Sequence, residues 1–365
     1  MNRKIYLDNI RWMTVLLVII YHIIYIFNSA GVISNFAVKG IPQMDVVLYF
    51  VYPWFMSLLF VVAGVSAHAA LQTKTGKEFL KARVQRLLIP SIAGIFLIGW
   101  FNGWVTDTYV DMFKENRETI PGFVKYLIYC LSGTGALWFA HELFGASVVL
   151  VIIKAIDKKD RLAQLGAKCK LWTLFLLVLP YWISSMLFNT PVIEIYRNGF
   201  YIFSFLLGYY VFSREELLEQ LEKLRIPLLI ASLICGIAYT AYYYGDNYTT
   251  QDVLQHPFTN AYAWLMILAI FSWAKRAFNF TNKFSTYMTK ANFGFYVLHY
   301  PVLSFVAYMT QHYLPAPMIV HYIVNTILLL LLLPLVYEIL RRVPVLRFLL
   351  LGISKKKTPT ISTES

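Results

Sequence analysis

Charge is scarce in this chain: Asp, Glu, Lys and Arg make up only 14% of 365 residues. A soluble domain carries about 25%. Cysteine is scarcer still. Cys130, Cys169 and Cys235 are scattered, odd in number and form no CxxC pair, which excludes a disulfide framework. Signatures of the common soluble enzymes are missing too, with no GxSxG elbow, no Walker A loop and no dinucleotide fingerprint. His141-Glu142 opens like the zinc motif HExxH, but Gly145 stands where the second histidine belongs. No metal site is expected. Repeats of fixed period are absent as well.

What fills the chain is apolar surface. Hydrophobic residues make up 59% and aromatics 17%. This composition predicts an all-α polytopic membrane protein. Ten candidate spans follow, at roughly 10–27, 46–71, 87–105, 135–156, 171–188, 198–212, 226–244, 259–275, 292–311 and 317–338. The sixth is the shortest and is bracketed by Arg197 and Arg214. With the N-terminus in the cytoplasm, 27 of the 32 Lys and Arg residues fall on that side and 5 on the other. The imbalance alternates loop by loop, so the net charge of +13 reflects orientation rather than nucleic-acid binding. Both termini are then cytoplasmic, and the cell membrane is the expected location. The first apolar run is longer than a signal h-region and ends in bulky Tyr25-Ile26-Phe27, so it is expected to be a retained helix. An integral membrane domain over 1–351 and a polar tail over 352–365 complete the division. Phe123 to Leu131 is expected to form an interfacial or re-entrant helix. Ser213 is placed to cap the charged helix that follows it. Trp100, Trp104, Tyr196, Tyr201 and Tyr242 to Tyr244 read as aromatic belts without further role.

Two residues in the first span stand out. Arg11 and His22 are eleven residues apart, close to three helical turns, so they share one side of the helix at a separation of about 16 Å. An imidazole at that depth is costly unless it faces a polar cavity or a partner, so it is either a functional group or a histidine satisfied by a neighbouring helix. Arg83 and Arg86 lie on the cytoplasmic side, three residues apart on one helical face. They read either as a fork for phosphate or as an anchor on anionic lipid.

Taken together these segments resemble the membrane-bound acyltransferase 3 family. Tyr6 to His22 is similar to the family's first helix, whose mark is a basic residue, ten residues, then histidine. Phe55 to Leu71 resembles its second helix, a phenylalanine-rich run into Ala63-Gly64. Phe79, Arg83, Arg86, Leu87 and Pro90 match its Arg-x-x-Arg segment leading to a proline. Leu137 to Phe144 and Phe293 to Leu303 are similar to its Leu-Trp-Phe and Tyr-x-Leu-His-x-Pro elements. The resemblance covers essentially the whole chain and is to the family's membrane unit.

The resemblance implies about ten helices around a central cavity and transfer of an acyl group, commonly acetyl. The donor would be cytoplasmic acyl-CoA, a co-substrate rather than a tightly bound cofactor. The acceptor would be a hydroxyl of a surface or periplasmic glycan or a lipid-linked sugar. His22 becomes the catalytic residue, with Glu142 as a candidate partner. Arg11, Arg83 and Arg86 become candidate CoA-phosphate contacts. Asn292, Tyr296 and His299 become candidate lining of the substrate cavity, with helix–helix hydrogen bonding as the alternative for Tyr296 and His299. The other expected partners are membrane lipids. A multi-pass transporter or flippase is the competing class, supported by the span count and by His22, His68 and His299 within spans. Against it stand the absent repeat and the absence of a carboxylate chain in the membrane.

Overall fold

A computed structural model describes residues 4–190 and 195–354. Among the described residues the regular structure is helical: α1 (Ile5–Tyr25), α2 (Val46–Leu71), α3 (Gly76–Val110), α4 (Gly122–Ser132), α5 (Trp138–Ile156), α6 (Arg161–Ala167), α7 (Leu171–Ser184) and α8 (Asn198–Tyr210). There follow α9 (Glu215–Glu222), α10 (Arg225–Tyr243), α11 (Gln251–Gln255), α12 (Pro257–Ala277), α13 (Lys283–Tyr313), α14 (Met318–Leu340) and α15 (Pro344–Leu351). Of the tail expected over 352–365, the part from Lys355 on lies outside the described residues.

Among the described residues eight helices are long and apolar enough to cross a bilayer, and the bent pair of α6 and α7 makes up to nine. The ten expected spans all meet helices, but two fail the length test, for local reasons. The fifth is broken: α6 and α7 meet at a 113° bend, after the polar Lys168-Cys169-Lys170. Within α7 the helix also hitches at Leu177. Pro180 lacks an N–H and its ring presses on the carbonyl four residues back. The sixth, α8, has 13 residues, about 20 Å. It is walled in by protein, on α2 and α5, so it need not match the hydrocarbon thickness.

The α2–α8 crossing sits at the centre of the bundle. A Cβ at Gly64 would lie 2.0 Å from the Phe205 carbonyl oxygen, and one at Gly208 would lie 2.1 Å from that of Val61. Only glycine at both positions lets the backbones come this close. Ser57 and Ser204 share a hydrogen bond of 2.9 Å across the same crossing, and the Tyr181 hydroxyl donates to Ser57 at 2.8 Å. Outermost lies α14, whose Ile323, Ile327, Leu330, Leu331 and Leu335 are exposed where lipid would cover them.

α3 runs unbroken for 35 residues and contains two π-turns, at Val84–Leu88 and Ile95–Gly99. The first precedes Pro90, whose ring would strike the Arg86 carbonyl in a regular helix, and the wider turn relieves the clash. Thr75 and Glu78 close a reciprocal cap at the start of α3. Ser213 does not cap α9 as expected; its hydroxyl donates to the Tyr209 carbonyl at 2.8 Å, finishing α8 instead. The expected helix at Phe123 to Leu131 is α4, packed along the upper half of α3. Asp107 holds the loop between them, accepting two hydrogen bonds from Arg117, at 2.9 and 2.7 Å, and one from the Tyr129 hydroxyl at 2.7 Å.

Candidate active site

α1 and α13 run parallel and in contact, which brings His22 and His299 together. Their rings are 5.0 Å apart, with His299 Nε2 at 3.3 Å from His22 Nδ1. The partners fix the protons. His299 Nδ1 lies 2.7 Å from the Tyr296 carbonyl, which can only accept, so Nδ1 carries the hydrogen and Nε2 a lone pair. His22 Nδ1 lies 2.8 Å from the Val18 carbonyl and so carries a hydrogen as well, shared between that carbonyl and His299 Nε2. Two neutral imidazoles satisfy every contact. The His22 Nε2 is then the unprotonated nitrogen, and His22 lines a cavity of about 530 Å³.

The cavity lies at the end of the bundle away from the lysine- and arginine-rich segments. Its walls are Val18, Tyr21, His22 and Tyr25 of α1, Tyr52, Phe55 and Met56 of α2, Trp138, Tyr201, Tyr296 and Tyr300, with Asn247, Thr249 and Thr250 at the rim. Tyr21, Tyr25 and Tyr300 stand edge-on around the His22 ring at 5.2, 5.6 and 5.1 Å. Tyr300 is held by its hydroxyl, which donates to Asn35 at 2.5 Å. Gly135 packs against it: φ there is +50°, and a Cβ would lie 2.6 Å from the Tyr300 ring. The rim is tied across the mouth, with Asn247 Nδ2 donating to the Gly31 carbonyl at 3.2 Å and the Tyr21 and Tyr248 hydroxyls 2.9 Å apart.

The remaining sequence candidates separate into groups. Arg11 lies three turns from His22, donating to Ser66 Oγ at 2.6 Å and to Asp8 at 3.2 Å. Arg83 is within electrostatic reach of Arg11 and Arg86, and its guanidinium lies over the Phe79 ring at 4.9 Å. The three arginines thus gather at the basic end, with Arg86 the most exposed. Tyr296 lines the cavity, whereas His299 is fully buried behind His22 and does not. Asn292 is two turns below His299 on the same face of α13. Glu142 is buried in α5, and no hydrogen bond joins it to His22 among the described residues; His299 occupies the position expected for such a partner.

Sequence reasoning missed the aromatic wall. By position along the chain Tyr201 reads as part of the membrane belt, and Tyr21, Tyr25 and Tyr52 carry no site expectation. The available signal was spacing: Val18, Tyr21, His22 and Tyr25 are the 3–4–7 face of one helix.

Comparison with known proteins shows the family. A family model described as "Acyltransferase domain" matches residues 4–338. The chain is 26% identical to the Glucans biosynthesis protein C of Salmonella typhi and to that of Salmonella typhimurium (strain LT2), covering 96% of this chain and 95% of each relative. The protein of the same name from Salmonella paratyphi B is 25% identical over the same shares. No solved structure matches. A bundle of membrane-length apolar helices, matched over residues 4–338 by the family model, is an integral membrane protein of the acyltransferase 3 family.

Proposed function

We propose that this protein transfers an acyl group, acetyl by family habit, from acyl-CoA at the basic face to a hydroxyl of a glycan or lipid-linked sugar entering from the opposite face of the cell membrane. The observation that carries the reading is the His22–His299 pair, which leaves His22 Nε2 unprotonated in an aromatic-walled cavity. A base in that state accepts the proton of an acceptor hydroxyl as its oxygen attacks the thioester carbonyl. The C–S bond then breaks, and the departing thiolate takes the proton back from the imidazolium. His299 does not meet substrate; it holds the His22 ring and its tautomer. Tyr and Trp faces with Asn and Thr at the rim suit a sugar, which has apolar C–H faces and hydroxyl edges.

The donor site follows from charge. Three guanidiniums collected at the basic end, with Asp8 beside Arg11, favour a polyanion such as the CoA phosphates. The relatives' name, glucans biosynthesis protein C, supports a glycan acceptor here.

The test is His22→Ala in purified protein given acyl-CoA and a glucan acceptor. CoA release should fall about 10²–10⁴-fold, the usual worth of a general base, with insertion and thermal stability retained. Near-normal turnover would reject His22 as the base.

A further inference from the structure

Three buried polar groups lie between the arginines and His22 without the partners they require. They are Glu142 Oε1, Asn292 Oδ1 and the Tyr296 hydroxyl; none bonds another side chain among the described residues, and the Tyr296 hydroxyl has only the Phe139 backbone beside it. Glu142 is 4% exposed, Asn292 8% and Tyr296 2%. An unsatisfied buried acceptor is costly, so such groups on two helices joined by a ring contact require an explanation.

Their placement supplies it. Gly76 of α3 packs on Val151 of α5, and Gly94 packs on Leu137, so the two helices lie antiparallel and side by side. Glu142 falls between those contacts, level with the π-turn that carries Arg86. One turn nearer the cavity on α5 is Trp138, which lines it. On α13, Gly294 packs on Leu351, whose neighbour Gly352 lies against the Arg86 backbone. Asn292 therefore stands near the depth of Arg86, and Tyr296 and His299 climb the same helix face toward His22. Phe139 and Tyr296 join the two helices, their rings 5.4 Å apart. Tyr196 lies within electrostatic reach of both Glu142 and Tyr296.

We propose that Glu142 and Asn292 receive the two amide N–H groups of the pantetheine arm of the donor, and that Tyr296 guides the thioester end into the cavity. The inference rests on acyl-CoA being the donor. The arm is a slender, uncharged chain whose only N–H donors are its two amides. Glu142 Oε1 and Asn292 Oδ1 are two acceptors along the route from the arginines, which suit the phosphates, to His22, which suits the acyl carbon. Glu142 thereby takes a binding role in place of pairing with His22.

Donors that differ by one N–H test this. S-acetyl-N-acetylcysteamine carries the amide nearest the sulfur; S-acetyl-2-mercaptoethyl acetate replaces it with an ester. Wild type should favour the amide in kcat/KM by about tenfold, the worth of one hydrogen bond left unmade. In Asn292→Leu or Glu142→Leu, depending on which residue meets that amide, the ratio should collapse toward one. Because each leucine-sized replacement removes a bare acceptor, Asn292→Leu and Glu142→Leu should melt no lower than wild type. An unchanged ratio in both variants overturns the proposal, as does a lower melting temperature with equal loss on every donor, which marks a structural role. If wild type turns over no thioester, the donor assignment itself fails and takes this one with it; if thioesters work and the ratio in wild type is one, only this proposal falls.

Discussion

At the scale of single residues, the proposed chemistry depends on one nitrogen lacking a proton. His299 sets that condition without reaching the substrate, so its loss has a distinctive signature. In His299→Ala the His22 ring keeps only the Val18 carbonyl and gains freedom to turn. We expect kcat to fall about 10–100-fold, on the scale of lost positioning by an outer partner, with KM for donor and acceptor little changed. His299→Gln, whose amide oxygen can stand where Nε2 accepts, should recover much of the loss. A mutant in which KM rises and kcat holds would place His299 in the binding site instead. The sequence showed both histidines, since an imidazole within a span is conspicuous. It did not show that they pair, because they lie 277 residues apart and only the parallel course of α1 and α13 joins them. Glu142 illustrates the converse: a lone carboxylate near a motif invites pairing with the nearest base, and packing sent it elsewhere.

Helices carry two further predictions. The α2–α8 crossing holds Phe55 and Met56 of the cavity wall opposite Tyr201, and it closes only because Gly64 and Gly208 lack side chains. Gly64→Val should force the backbones apart and cost about 1–3 kcal/mol of stability, read as a lower melting temperature in detergent and a weakened acceptor KM. A variant that melts like wild type would show that the crossing tolerates a wider spacing. On α3, Arg83→Ala should raise KM for acyl-CoA with the acceptor KM unmoved, and Arg83→Lys should rescue only partly, since an ammonium cannot grip phosphate with two parallel bonds. Equal KM values in all three proteins would leave Arg83 an anchor on lipid. Spans of ordinary length were plain in the sequence from hydropathy and charge. The broken α7 and short α8 were harder to place: protein neighbours, not lipid, cover α8, so the length rule that finds spans does not govern it.

For the whole molecule, the arginines and the cavity occupy opposite ends, and sidedness should follow. In vesicles of uniform orientation, labelled acyl-CoA should be consumed only from the basic face, and label should appear in a glycan supplied on the other. Product formed solely when both reagents share the basic face would rule out transfer across the membrane. An orientation is expected from 27 basic residues against 5, and a cavity from the family resemblance; the size and walls of the cavity are not legible, because they are set by ring packing that spacing does not encode. That volume has a consequence for the product. At about 530 Å³ the chamber is of the size that encloses one small ligand, and its mouth is tied by Asn247 to Gly31. A polymer must then be served one unit at a time, and a unit whose neighbour already bears a substituent presents a bulkier profile to the same fixed opening. Were the proposed acceptor a long glycan, its decoration by such a chamber would become self-spacing: substituents would fall at intervals along the chain, and their density would level off short of completion however much donor is supplied.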